Sequence, residues 1–192
     1  MLNKTELRRG MILPLNIYGD DILFRQAVPL EGIDAGIDDL VGSMFETLYY
    51  TSGIGLAAPQ IGHSIQLVVV DISRSKRGNY SHEKPVVAIN PQILSASGEN
   101  VTEESCLSIP GIRKNITRPA VITLQYRDEH FEVKTREFSG LIARVLQHEI
   151  DHLQGKLFID RLEANERKMV QSELNAIASG VVPEEFAHFF RL

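Results

Sequence analysis

The 192-residue chain has one cysteine, Cys106, and no tryptophan. A single thiol cannot close an internal disulfide, which suits a reducing compartment and leaves the sulfur free for other chemistry. No cluster of lysine and arginine stands out and the net charge is −5, so sequence-independent binding to a nucleic-acid backbone is not expected. No apolar run reaches bilayer-spanning length. At the amino terminus Pro14 and Asn16 interrupt a short apolar run and no small-x-small site follows, so the segment does not read as a signal peptide. The expected location is therefore cytoplasmic. Repeats, low-complexity tracts and linkers are lacking too, and with 43% hydrophobic and 23% charged residues the economical assignment is one domain over 1–192.

What is present reads as α+β. A lead-in over 1–32 carries few periodic signals. From Asp34, the apolar residues Ile37, Leu40, Val41, Met44, Phe45 and Leu48 recur at helical spacing and predict an amphipathic helix ending near Tyr50. The run GIGLAAPQ (53–60) follows, small residues whose two glycines let another backbone come close. The β-branched runs QLVVVD (66–71) and PVVAIN (85–90) predict buried strands around an exposed loop at 73–83. Alternating segments at 120–126 and 131–137 predict a hairpin. Leu157, Phe158 and Ile159 look like a short strand, 163–178 like a surface helix, and the phenylalanine-rich tail from Pro183 is expected to dock on the body.

The sharpest signal is QHEIDH (147–152). In a helix, His148 and His152 leave the same face about one turn apart and can grip one metal ion. Glu149 is rotated by about 100° from His148, beside the metal rather than on it, where a carboxylate can take a proton from water. Leu141, Val145, His148 and His152 fall within about 60° of one another around that helix, so the histidines continue an apolar stripe. Ile142, Leu146, Ile150 and Leu153 form a second stripe, leaving Arg144, Gln147, Asp151 and Gln154 for a narrow polar strip. With Ser139 as N-cap and Gly155 as stop, a helix over 140–154 is predicted, buried on most sides. Buried polar side chains need partners, and a metal supplies one.

Two histidines do not complete a metal site. In the extended HExxHxxGxxH pattern a third histidine follows, and Phe158 stands in its place. A downstream carboxylate, from Glu163, Glu166 or Glu173, remains open. The better candidate is Cys106, because a thiolate with two imidazoles suits Zn²⁺ or Fe²⁺ and leaves one position for water.

The segments GIGLAAPQ (53–60), ESCLS (104–108) and QHEIDH (147–152), in this order and separation, resemble the three signature motifs of peptide deformylases. The likeness runs from about residue 18 to about 161. Ser105 departs from it, since the middle motif usually has glycine there. The resemblance implies mixed, mostly antiparallel sheets around a central metal-binding HExxH helix, and metal-dependent hydrolysis of the formyl group from N-terminal formyl-methionine. It implies Cys106, His148 and His152 as metal ligands, with Fe²⁺ expected and Zn²⁺, Ni²⁺ or Co²⁺ as substitutes. Glu149 is the implied proton acceptor, and the Gln60 side-chain amide and Leu107 backbone N–H are the implied oxyanion donors. Gly55 and the segment near Gly111 would pair with the peptide backbone, and Ile54, Leu141, Val145 and the His148 ring would line the methionine pocket. Arg118 is expected to pair with Glu104, and Asp151 to support the ligands. The implied partners are N-formylated nascent polypeptides, with transient contact to the ribosome and no membrane.

Overall fold

Residues 10–76 and 78–190 are described by the computed structural model. An irregular lead-in, with one 3₁₀ turn at Asp21–Phe24, is followed by α1 (Ala35–Tyr50), β1 (Gly55–Ala57), β2 (Leu67–Val70) and β3 (Val86–Ser97). Next come β4 (Asn100–Cys106), β5 (Ile109–Arg118), β6 (Val121–Arg127), β7 (Val133–Ser139) and α2 (Gly140–Leu153). The chain ends in a 3₁₀ turn, Phe158–Arg161, and three short helices, α3 (Ala164–Met169), α4 (Gln171–Ala178) and α5 (Glu184–Ala187). The expected lead-in and tail lie partly outside the described residues, at 1–9 and 191–192.

Helix α1 starts at Asp34, whose side chain accepts the Ile37 N–H at 3.0 Å, as an N-cap does. The main sheet runs in the order β1-β2-β3-β6-β7, and β4-β5 is a separate two-stranded sheet. Among the described residues every strand pairing is antiparallel, and parallel pairing occurs only in the isolated bridges Leu15 to Phe190 and Val28 to Ile65.

Side chains alternate across β1, β2 and β3 and feed two cores. Leu56, Leu67, Val69, Val87 and Ile89 pack with Leu40, Met44 and Leu48 of α1. Val68, Val70, Val86 and Ala88 pack with Leu124 of β6 and Ile142, Leu146 and Ile150 of α2. A sheet covered on both faces demands continuous apolar strands, which is why these runs do not alternate in sequence. Helix α2 packs across β1 and β2 and so sits at the centre of the fold. No helix among the described residues is long and apolar enough to cross a membrane.

Two expectations are corrected. Residues 157–159 are not a strand: Asp160 turns back to accept the Leu157 N–H at 2.8 Å, and the 3₁₀ turn buries Phe158 and Ile159 without any pairing. The helix expected over 163–178 is split at the buried Val170, which leaves helical geometry and separates α3 from α4. The β4–β5 hairpin was not expected at all. The tail does dock, with the Leu15 N–H donating to the Phe189 carbonyl at 2.7 Å and Phe190 buried in the first core.

Helix α2 ends at Gly155, which has φ +69 and lies where an added Cβ would stand 2.7 Å from the Phe24 backbone. The Lys156 N–H closes the helix on the Asp151 carbonyl at 2.9 Å, a Schellman-type cap. Gly155→Ala is expected to cost at least about 1–2 kcal/mol from the left-handed backbone alone, and more once Phe24 must shift. Urea unfolding reads this directly, and an unchanged midpoint would contradict it.

Candidate metal centre

Three segments distant in sequence meet beside β1. The β4–β5 hairpin turns tightly through Leu107 and Ser108, because Cys106 already pairs with Ile109, and its tip carries the one thiol. From α2, His148 and His152 project one turn apart, with ring centroids 5.2 Å from each other. Cys106 Sγ lies 3.3 Å from His152 Nε2, and one donor atom from each of Cys106, His148 and His152 falls within 4.8 Å of the others. All three residues are buried. Among the described residues no carboxylate joins this group, and Glu163, Glu166 and Glu173 are exposed on the C-terminal helices. Phe158 instead stacks on the His148 ring at 6.1 Å, closing the side where a third histidine was sought.

Of the narrow polar strip expected on α2, Arg144, Gln147 and Asp151 are buried and only Gln154 is exposed. The hairpin covers the first two turns of that strip, and buried charges persist because they are paired. Glu104, two residues before the cysteine, accepts from Arg118 at 2.6 and 2.9 Å and contacts His148 Nδ1 at 2.9 Å. Arg118 also donates to Asp151 at 2.7 Å, and Arg161 grips both Asp151 oxygens at 2.7 Å. The expected Arg118–Glu104 pair and the supporting place of Asp151 are thus present. Burial opposes the charge on Glu104, but hydrogen bonds from His148 and Arg118 outweigh it and hold its carboxyl below the usual range. A carboxylate on Nδ1 fixes the imidazole so that Nε2 faces a cation.

Glu149 is buried, and its Oε2 has no hydrogen-bond partner. Burial raises its pKa to about 7 against the pull of His148 and Arg118. Gly55 of β1 lies so close that an added Cβ would stand 2.5 Å from Glu149 Oε1 and from Val145 Cγ1. That approach explains the second glycine of GIGLAAPQ. At the end of the same segment Gln60 is buried; its Oε1 accepts the Ala57 N–H at 2.8 Å, while its Nε2 lies 3.6 Å from Cys106 Sγ and 3.4 Å from Ser108 Oγ.

Whether a divalent metal fits is decided by the donors and by the local field. One sulfur and two imidazoles are the ligand types such ions take, and three leave a fourth position open. Burial opposes a charge on His148, yet the Cys106 sulfur and the Glu104 carboxylate outweigh it and raise its pKa well above the ordinary value. His152, by contrast, is pushed well below the ordinary value by burial and by His148, so it is a neutral imidazole able to offer a lone pair to a cation.

Of the remaining residues expected at the site, Leu107 stands in the hairpin turn, Val145 is buried against Gly55, and Ile54 and Leu141 pack half-buried on the second core. Gly111 lies on β5 with φ +84, and an added Cβ there would touch only Pro183, so this position is turned towards the C-terminal segment. Phe158, Ser108, Arg144 and Arg161 were missed. Arg144, one turn before His148 on the polar strip, was the one with a sequence signal.

The family model for polypeptide deformylase matches residues 12–168. A peptide deformylase of Pelodictyon phaeoclathratiforme is 58% identical over 176 residues, 92% of this chain and 93% of the relative. The crystal structure of a peptide deformylase from Legionella pneumophila superposes with a TM-score of 0.77 at 38% identity, covering 85% of this chain and 94% of that one. The peptide deformylase from Thermus thermophilus gives 0.79 at 36%, covering 88% and 99%.

Proposed function

The chain belongs to the peptide deformylase family, and on that premise we propose that Cys106, His148 and His152 hold one divalent ion while Glu149 moves the protons of the reaction. As a peptide deformylase it is a metallohydrolase that removes the N-formyl group from nascent polypeptides. The observation that carries the assignment is a buried thiol and two imidazoles within 4.8 Å of one another, beside a buried carboxyl raised to about 7.

A divalent ion in this donor set supplies Lewis acidity, making water a stronger acid and polarising the formyl oxygen. Glu149 accepts the attacking water's proton and returns it to the departing amine, and a group that titrates near neutrality can do both. The Nε2 arm of Gln60, held near Cys106 Sγ and Ser108 Oγ with its other end fixed by Ala57, and the Leu107 N–H donate to the oxyanion as it develops. Ile54, Leu141, Val145 and the His148 ring receive the methionine side chain. The backbones of Gly55 and Gly111 take up the extended peptide as an added strand would. Fe²⁺ is the proposed ion, with Zn²⁺, Ni²⁺ or Co²⁺ able to replace it. Action on nascent chains goes with a cytoplasmic location and a transient ribosome contact.

Formate release from a formyl-Met dipeptide, measured with the metal content of the same sample, tests the function. One ion per chain and formate as product are expected. Cleavage of internal peptide bonds without formate would contradict it.

A further inference from the structure

Arg144 lies one helical turn before His148 on α2, is buried, and has no part in the chemistry above. Its Nη1 donates to Glu104 Oε1 at 2.5 Å and to the Ile116 carbonyl at 3.0 Å. Its Nη2 donates to the Asn100 carbonyl at 2.5 Å and to Asn100 Oδ1 at 2.9 Å. These contacts join three things. Asn100 opens β4 and Ile116 lies near the end of β5, so Nη2 grips the first strand and Nη1 the second at the open end of the hairpin whose tip bears Cys106; Nη1 is also the arm that reaches Glu104. The second oxygen of Glu104 sits 2.9 Å from His148 Nδ1.

We propose that Arg144 is a positioning residue for the metal centre: it registers the β4–β5 hairpin, and with it Cys106, against the His148 imidazole. The inference rests on the assignment of the cation to Cys106, His148 and His152. At its open end the hairpin runs into β3 and β6, which pair at Ser97 and Val121, and the Gly140 N–H that opens α2 donates to the Ala120 carbonyl at 3.3 Å. Nearer the tip, side chains tie the hairpin to α2. Arg118, the last residue of β5 and paired with Asn100, ties Glu104 to Asp151 on α2, whereas Arg144 comes from α2 itself and reaches both strands, at Asn100 and Ile116, as well as Glu104. Both arginines converge on Glu104, so the strand that carries Cys106 is held to α2 two residues before the cysteine. A planar guanidinium suits the task, since its fixed fork makes several directed bonds at once, which an ammonium cannot.

The charges make the proposal testable without unfolding the site. Three guanidinium groups, from Arg118, Arg144 and Arg161, face two carboxylates, Glu104 and Asp151. Arg144→Met removes the surplus cation and leaves Glu104 still paired with Arg118, so no buried carboxylate is stranded.

The experiment uses the full chain as wild type, Arg144→Met, Arg144→Lys and Asn100→Ala, each titrated with Co²⁺ against a competing chelator. Visible absorption reports coordination geometry, and urea unfolding of the metal-free proteins reports stability. Arg144→Met is expected to weaken Co²⁺ binding by about 10–100-fold and to alter the ligand-field bands, the scale seen when partners of metal ligands are removed. Arg144→Lys should recover part of the affinity, and Asn100→Ala should stay within about threefold of wild type. Wild-type affinity and spectrum in Arg144→Met would overturn the inference. So would affinity falling in step with stability in both Arg144→Met and Asn100→Ala, which marks a merely structural role. If Arg144→Met does not fold, Arg144→Lys decides by the same two readouts. A wild type that binds no Co²⁺ would overturn the metal assignment itself.

Discussion

Glu149→Ala is expected to lower kcat for formate release by about 10²–10⁴-fold while the metal stays bound, the usual scale for a lost general acid/base. The side chain lies beside the ligands, not among them, so binding of the ion should be untouched. Stability should not suffer either. The carboxyl is buried with Oε2 unpartnered, an arrangement that costs the folded state, and its removal relieves that cost while opening a small space. The combination of full metal, intact fold and lost turnover separates an enzyme from a structural metal site in a binding protein, where Glu149 would be dispensable. Steady-state kinetics with metal analysis checks it. Normal turnover by this variant would show that the proton moves by another group.

Cys106→Ala is expected to act on the ion. The substitution is small and the residue sits at a hairpin tip in the first core, so the fold should persist. Two imidazoles are left, without the sulfur that completes the three-donor set. Dialysis that leaves wild type with one ion should strip the variant. Its kcat/KM should fall by about 10³-fold or more, since a lost Lewis acid removes several kcal/mol of transition-state stabilisation. An HExxH endopeptidase with an acidic third ligand predicts the reverse: metal retained and internal bonds cut. The exposure of Glu163, Glu166 and Glu173 already speaks against it.

The centre was legible in sequence to the degree that local periodicity encodes it. His148 and His152 declare themselves because a helix repeats every 3.6 residues and both continue the stripe of Leu141 and Val145. The two-sided cover of β2 and β3 shows in their unbroken β-branched runs. Hairpin β4–β5 does not show, because Val101, Glu103, Ser105, Arg113 and Asn115 face solvent among polar neighbours and the inward residues are as varied as Glu104, Cys106 and Arg118. Its inward face mixes a buried ion network with Ile109, Ile112 and Ile116, so no continuous apolar alternation marks it. For the same reason the polar strip of Arg144 and Asp151 does not show in sequence as the seam between helix and hairpin. The split at Val170 and the turn at Phe158–Arg161 come from tertiary burial of single residues, which no window of sequence contains.

X-ray absorption at the edge of the bound metal reads the coordination shell itself. One sulfur at about 2.3 Å, two imidazole nitrogens at about 2.0–2.1 Å and one exchangeable oxygen are predicted. A shell without sulfur, or one filled by four protein atoms with no exchangeable oxygen, would contradict the assignment of Cys106, His148 and His152 to an open catalytic site.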